Sequence, residues 1–347
     1  MTTSSTSVSP NAGAAPFRLI LRAEVRRIAS RRSIRLLLAA GVIGVLVYSF
    51  FLLLSHASPS SHALAIDNAK LRAYEAQIRA ACLRSQPPSV SVPAGACNIQ
   101  MPLTAVPGVK LPFAASAGLM SGATVIGGVG ILLALLVGGS YMGGEYQSRV
   151  ISLEVALEPR RHRVFLAKLL VLASFLLLMG VILELLWLGL GSLVASVVGN
   201  FNGFGMSQLG TLLLVQARII VLLALVGAIS FSLTAMVKNT AGSVGILLVY
   251  LLIGERIAAS VFISLSAHLL SDSIQAIESV SGIEVMTSRF APPAIAVIGG
   301  SSSISGSASF AQNMTHLSPL EGLFTVLIYA AILVAASGWL FQKRDIF

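Results

Sequence analysis

Six stretches of this sequence are long and apolar enough to cross a membrane, and no other feature limits its folding as strongly. They run from Ile34 to Leu54, Ala115 to Tyr141, Val164 to Val198, Leu209 to Val237, Ala241 to Leu265 and Leu320 to Phe341. A spanning helix needs about 20 mostly apolar residues, because each residue climbs about 1.5 Å and hydrocarbon offers no partner to an open backbone group. The third stretch is long enough to tilt or to extend past the bilayer. The fifth carries Glu255 and Arg256, so its apolar part is expected to stop near Gly254. Of 347 residues, 56% are hydrophobic and 10% charged, against roughly 25% charged in a soluble domain. The expected fold class is therefore an all-α membrane protein with six transmembrane helices. The first stretch follows some 33 residues of polar and basic sequence, and no clean A-x-A-like site follows it, so it reads as an uncleaved span.

Six crossings place both termini on one side, and the Lys/Arg distribution indicates the cytoplasm. Arg18, Arg22, Arg26, Arg27, Arg31, Arg32 and Arg35 precede the first span. Arg149, Arg160, Arg161 and Arg163 lie between the second and third, and Lys238, Lys343 and Arg344 come later on the same side. The expected location is the plasma (inner) membrane. A net charge of +10 is thus read against lipid. No aromatic-interleaved basic patch argues for nucleic acid.

The first outer loop, residues 55–114, holds both cysteines, Cys82 and Cys97, and their confinement to the non-cytoplasmic side suggests a disulfide. Residues Ala63 to Leu83 have helix-like spacing of Leu64, Leu71, Ile78 and Ala81, so an ordered extracellular cap is expected. A second outer region, Ser266 to Pro319, reads as partly re-entrant or lying on the surface. The sequence 1–16 is expected to be a disordered tail.

No G-x-x-x-x-G-K-[ST] loop is present, since none of the five lysines follows a glycine. The five histidines are scattered singly, and no metal-ligand or hydrolase pattern appears. Neither a catalytic residue nor a metal site is expected. Glu184 and Arg218 are the clear ionisable groups near the bilayer midplane. Their depths differ by only about 10 Å at 1.5 Å per residue, so an ion pair joining two helices is the favoured reading and a polar lining of a substrate path the other. Gly118, Gly122, Gly130, Ala134 and Gly138 form a small-residue face, suited to close helix contact within one chain or between two copies.

Between the second and third spans, EYQSRVISLEVALE reads as a short amphipathic helix ended by Pro159. Joined directly to two spans, it has the geometry of a lever. The order Glu145-Tyr146, Arg149, Leu153 and Leu157, Pro159 with Arg160 and Arg161, then Lys168, resembles the coupling segment of ABC-2 type transporter permeases. The N-terminal FRLILRAEVRRIASRRSIRLLL resembles that family's amphipathic connecting helix, with Phe17, Leu21, Val25 and Ile28 on one face and Arg18, Arg22 and Arg26 beside it. The closing FQKRDIF resembles its F-x-x-R-D terminus.

The resemblance implies one transmembrane domain over residues 17–347. It implies a transmembrane permease subunit, and not an enzyme, of an exporter for a hydrophobic or amphipathic substrate. ATP and Mg would be held by a separate cytoplasmic ABC ATPase, with no cofactor in this chain. A second permease copy or a related permease and membrane lipid are the other implied partners. Docking of the ATPase would fall to Glu145, Tyr146, Arg149, Glu154, Glu158, Arg160 and Arg161 and to the connecting helix. The alternative is a non-transporting membrane scaffold or sensor that binds a ligand or partner through its outer cap.

Overall fold

The computed structural model describes residues 17–56, 61–84, 110, 112–148, 161–261, 268–286 and 314–343. Its helices are α1 (Phe17–Ser30), α2 (Arg32–Ser55), α3 (Ser61–Arg84), α4 (Ala115–Gln147), α5 (Arg161–Val198) and α6 (Met206–Val237). After α6 come α7 (Thr240–Val249), a π-helix (Tyr250–Gly254), α8 (Glu255–Val261), α9 (Leu270–Glu278) and α10 (Pro319–Lys343). Six of these helical runs are long and apolar enough to span a membrane: α2, α4, α5, α6, the run Thr240–Ala259 and α10. The chain is an all-α membrane protein with only short strand pairs among the described residues. The helix expected over Ala63 to Leu83 is present as α3.

The fifth run does not stop at Gly254. It passes through the π-helix into α8 because the Glu255 carboxylate is matched internally. Its Oε1 accepts from the Leu270 backbone N–H at 2.8 Å, and its Oε2 accepts from that of Ser271 at 3.0 Å. An acid at a helix N-terminus satisfies open N–H groups and complements the dipole. A buried charge that would otherwise end an apolar span here caps α9 instead.

Two compact units divide the chain, the first comprising Met1–Val42, Thr124–Glu184 and Leu213–Phe347, the second Ile43–Ala123 and Leu185–Leu212. Within the first, Gly138 of α4 meets the carbonyl of Gly227 in α6 so closely that a side chain on Gly138 would strike it. Gly130 sits against Leu223 of the same helix. Helix α6 turns into α7 through Lys238, at φ 60°, and Asn239, whose Oδ1 accepts from the Ala241 and Gly242 N–H groups. Helices α9 and α10 pack at Gly322, where a Cβ would lie 2.7 Å from the Ser273 carbonyl. A reciprocal cap starts α10: Ser318 N–H donates to Glu321 Oε2 at 2.9 Å and Glu321 N–H to Ser318 Oγ at 3.3 Å. Beside it, β3 (Ile283–Met286) pairs antiparallel with β4 (Met314–Leu317).

In the second unit Trp187 is fully buried, donates its indole N–H to the Leu119 carbonyl at 3.0 Å and lies 5.4 Å from the Tyr48 ring. Gly122 of α4 leaves the space this indole fills, and Gly118 the space for the Phe113 ring. The strand pair β1 (Phe113–Ala114) and β2 (Gly199–Asn200) is parallel. The four glycines of the small-residue face thus all serve contacts within this chain.

Candidate functional site

Helix α1 is amphipathic, but its buried side is set by a charge. Glu24 is 3% exposed and Ile28 2%, whereas Val25, expected on the same face as Ile28, is 52% exposed. A carboxylate leaves water only when it is paired and hydrogen-bonded, and Glu24 meets both conditions. Its Oε1 accepts from Lys168 Nζ at 2.7 Å and from Arg27 Nη1 at 3.0 Å, and its Oε2 accepts from the Tyr141 hydroxyl at 2.6 Å.

A second carboxylate completes the cluster. Glu145, near the end of α4, is 0% exposed, and its Oε1 accepts from Arg31 Nη2 at 2.8 Å, with Arg27 Nη1 3.6 Å away. Its Oε2 lies 2.7 Å from Lys168 Nζ, an ion pair with the ammonium off the carboxylate's hydrogen-bonding direction. Lys168 is itself fully buried and touches both acids. Arg31 reaches further, donating to the Tyr141 carbonyl at 2.7 Å and placing its guanidinium 5.0 Å from the Tyr141 ring centroid.

Beneath the ions runs a file of rings, Tyr141 to Phe231 at 6.3 Å, Phe231 to Phe165 at 5.5 Å and Phe165 to Phe341 at 5.7 Å. The cluster therefore ties α1, the Arg31 junction, α4 and α5 together, over a base of α6 and α10. Three cations around two carboxylates form one closed ion network. Moving α1 without moving α4 and α5 would leave buried charges unpaired.

The expected site residues divide accordingly. Arg18, Arg22 and Arg26 are exposed along α1. Glu145 was expected on a docking surface; it is instead enclosed, because Arg31 and Lys168 draw it inward. Tyr146 is half-buried, its hydroxyl donating to the Ala235 carbonyl at 3.3 Å, and Arg161 donates to the Gln342 carbonyl at 3.4 Å. Arg149, Glu154, Glu158 and Arg160 lie outside the described residues. Cys82 is disulfide-bonded, and Cys97 lies outside the described residues.

The expected Glu184–Arg218 pair is not formed. Among the described residues, neither Glu184 carboxylate oxygen nor Arg218 Nη1, all buried, has a hydrogen-bond partner. Gln216, not Arg218, faces Glu184 from α6, donating Nε2 to the Glu184 carbonyl at 3.2 Å. Two residues further along a helix is a rotation of about 200°, so Arg218 points away from this contact. The depth estimate placed Glu184 and Arg218 level; the helix azimuth separates them.

Sequence reasoning did not assign roles to Glu24, Arg27, Arg31, Tyr141 and Lys168 as a group. Two signals were there: a lone lysine inside the apolar FLAKLLVL and a lone acid inside an arginine-rich amphipathic segment. Each needs an opposite charge to be buried, and only the folded chain shows which. No family model matches the chain and no curated protein matches it, so what stands is a multi-pass, all-α membrane protein with a buried ion joint at the root of three helices.

Proposed function

We propose that the chain is the transmembrane permease subunit of an ATP-binding cassette transporter of the ABC-2 class. It exports a hydrophobic or amphipathic substrate with ATP hydrolysed by a separate ATPase. The observation that carries this reading is the ion joint: Lys168 bridging Glu24 of α1 and Glu145 of α4. An amphipathic helix with an exposed arginine row, locked to the ends of two spans, converts a push into helix movement. In this reading the joint lies at the cytoplasmic face of the plasma membrane, with both termini on that side. Arg18, Arg22 and Arg26 offer the contact surface, and Glu145 transmits rather than docks. The two permease copies rock as the ATPases close on ATP, whose unequal affinity for the two transporter states supplies the bias. A non-transporting scaffold or sensor is the alternative, favoured by the disulfide-bonded helix α3.

The test is mild-detergent purification at native expression, followed by reconstitution. A stoichiometric P-loop ATPase that hydrolyses ATP in the vesicles is expected, lost when Arg18, Arg22 and Arg26 are all changed to Glu. Purification of the chain alone, or with only an extracellular partner, defeats the proposal.

A further inference from the structure

Within the first unit a cavity of about 340 Å³ lies among α6, α7, the π-helix, α9 and α10, at the small end of the range of ligand pockets. Its walls include Leu233, Ile246, Tyr250, Leu270, Tyr329 and Ile332, and none of the described residues that line it is charged. The Tyr329 hydroxyl is turned to the backbone, donating to the His268 carbonyl at 3.4 Å. An ionised ligand would be left unpaired there, so the occupant must be uncharged over the part that enters. Tyr250 is also the first residue of the π-helix, a helix irregularity that is frequently found at functional sites.

The mouth of the cavity identifies the source. Ile246 is 51% and Ile332 61% exposed, and on the same two helical runs Val249 and Ile328 are each 57% exposed. Both runs are membrane spans, so this apolar rim is continuous with a surface whose solvent is hydrocarbon. From this we infer that the cavity is a lateral site for one acyl chain of a bilayer phospholipid, entering between α7 and α10. Leu233 forms part of the wall. The inference rests on the spanning helices and not on the transport reading, and its test uses no ATPase.

The full chain is reconstituted in phosphatidylcholine vesicles containing a small fraction of phosphatidylcholine with a diazirine on one acyl chain. The vesicles are irradiated, and the adducts are mapped by mass spectrometry. Labelling of Tyr250 and Tyr329 is expected several-fold above that of Phe51, an exposed residue on α2. Leu233→Trp, which fills the cavity, and Ile332→Trp, which blocks its mouth, should each abolish the Tyr250 and Tyr329 adducts. Phe51 labelling, unchanged, reports that the variant is still inserted in the membrane, and an unchanged thermal midpoint that it is folded. Labelling of the two tyrosines no stronger than at Phe51 overturns the inference, whether because the cavity stays empty or because a second copy covers its mouth. So does labelling that persists in both tryptophan variants.

Discussion

Lys168→Met removes the charge at the centre of the ion joint while keeping most of the side-chain volume. In the native protein the ammonium stands 2.7 Å from an oxygen of Glu24 and 2.7 Å from one of Glu145. Without it, two carboxylates face each other no more than about 5 Å apart, a repulsion of about 3 kcal/mol at an effective dielectric near 20. Arg27 and Arg31 still hold one acid each, which softens the loss. Removing one partner from a buried ion pair typically costs about 3–5 kcal/mol, and the two figures agree. At about 2 °C per kcal/mol for a large chain, the thermal midpoint in nanodiscs should fall by about 6–10 °C. Adding Glu24→Gln should return most of the loss, since the neutral amide no longer needs the ammonium; groups in one network do not add independently. A fall of less than about 2 °C, or a double variant as unstable as the sum of its parts, would refute the joint. Under the proposed function, Lys168→Met should also leave ATPase association intact while uncoupling hydrolysis from transport.

Two further outcomes follow from single contacts. Gly138→Ala drives a methyl group into the Gly227 carbonyl, whereas Gly128→Ala on the same helix meets nothing within 4 Å. The first should destabilise by about 1–3 kcal/mol and the second should stabilise by up to about 1 kcal/mol, as read by unfolding midpoints side by side. Glu278, at the end of α9 and outside the six spans, has its carboxyl pushed up by burial from 4.5 to about 7. The folded chain then holds a proton that the unfolded chain has released, so this group's contribution is full below pH 4.5 and falls as pH rises to about 7. Glu278→Gln should flatten that part of the stability profile; a variant with an unchanged slope between those pH values contradicts the assignment.

Much of the architecture was legible before folding. Span positions depend on hydropathy within a window, and each of the six apolar stretches overlaps one of the six spanning runs. The helix at Ala63 to Leu83 was legible for a similar reason, being local periodicity. Errors arose where a charge meets a partner far away in sequence. Phe17, Leu21, Val25 and Ile28 were placed on one face of α1 by apolarity alone; Ile28 is buried, but the carboxylate of Glu24, with three donors aimed at it, takes the inner side and leaves Val25 exposed. Glu255 looked like the end of a span and is the cap of the next helix.

Composition and periodicity were sufficient to establish six helices long and apolar enough to span a membrane, an amphipathic N-terminal helix and the lack of a G-x-x-x-x-G-K-[ST] motif, because each is a property of neighbouring residues. Which side chains meet was settled by the rotation of each helix about its own axis. Lys168 meets Glu24 and Glu145, separated from it by 144 and 23 positions, while Arg218 misses Glu184 although their estimated depths nearly match. A turn of 100° per residue moves a side chain from partner to lipid with almost no change in depth, and hydropathy does not record azimuth.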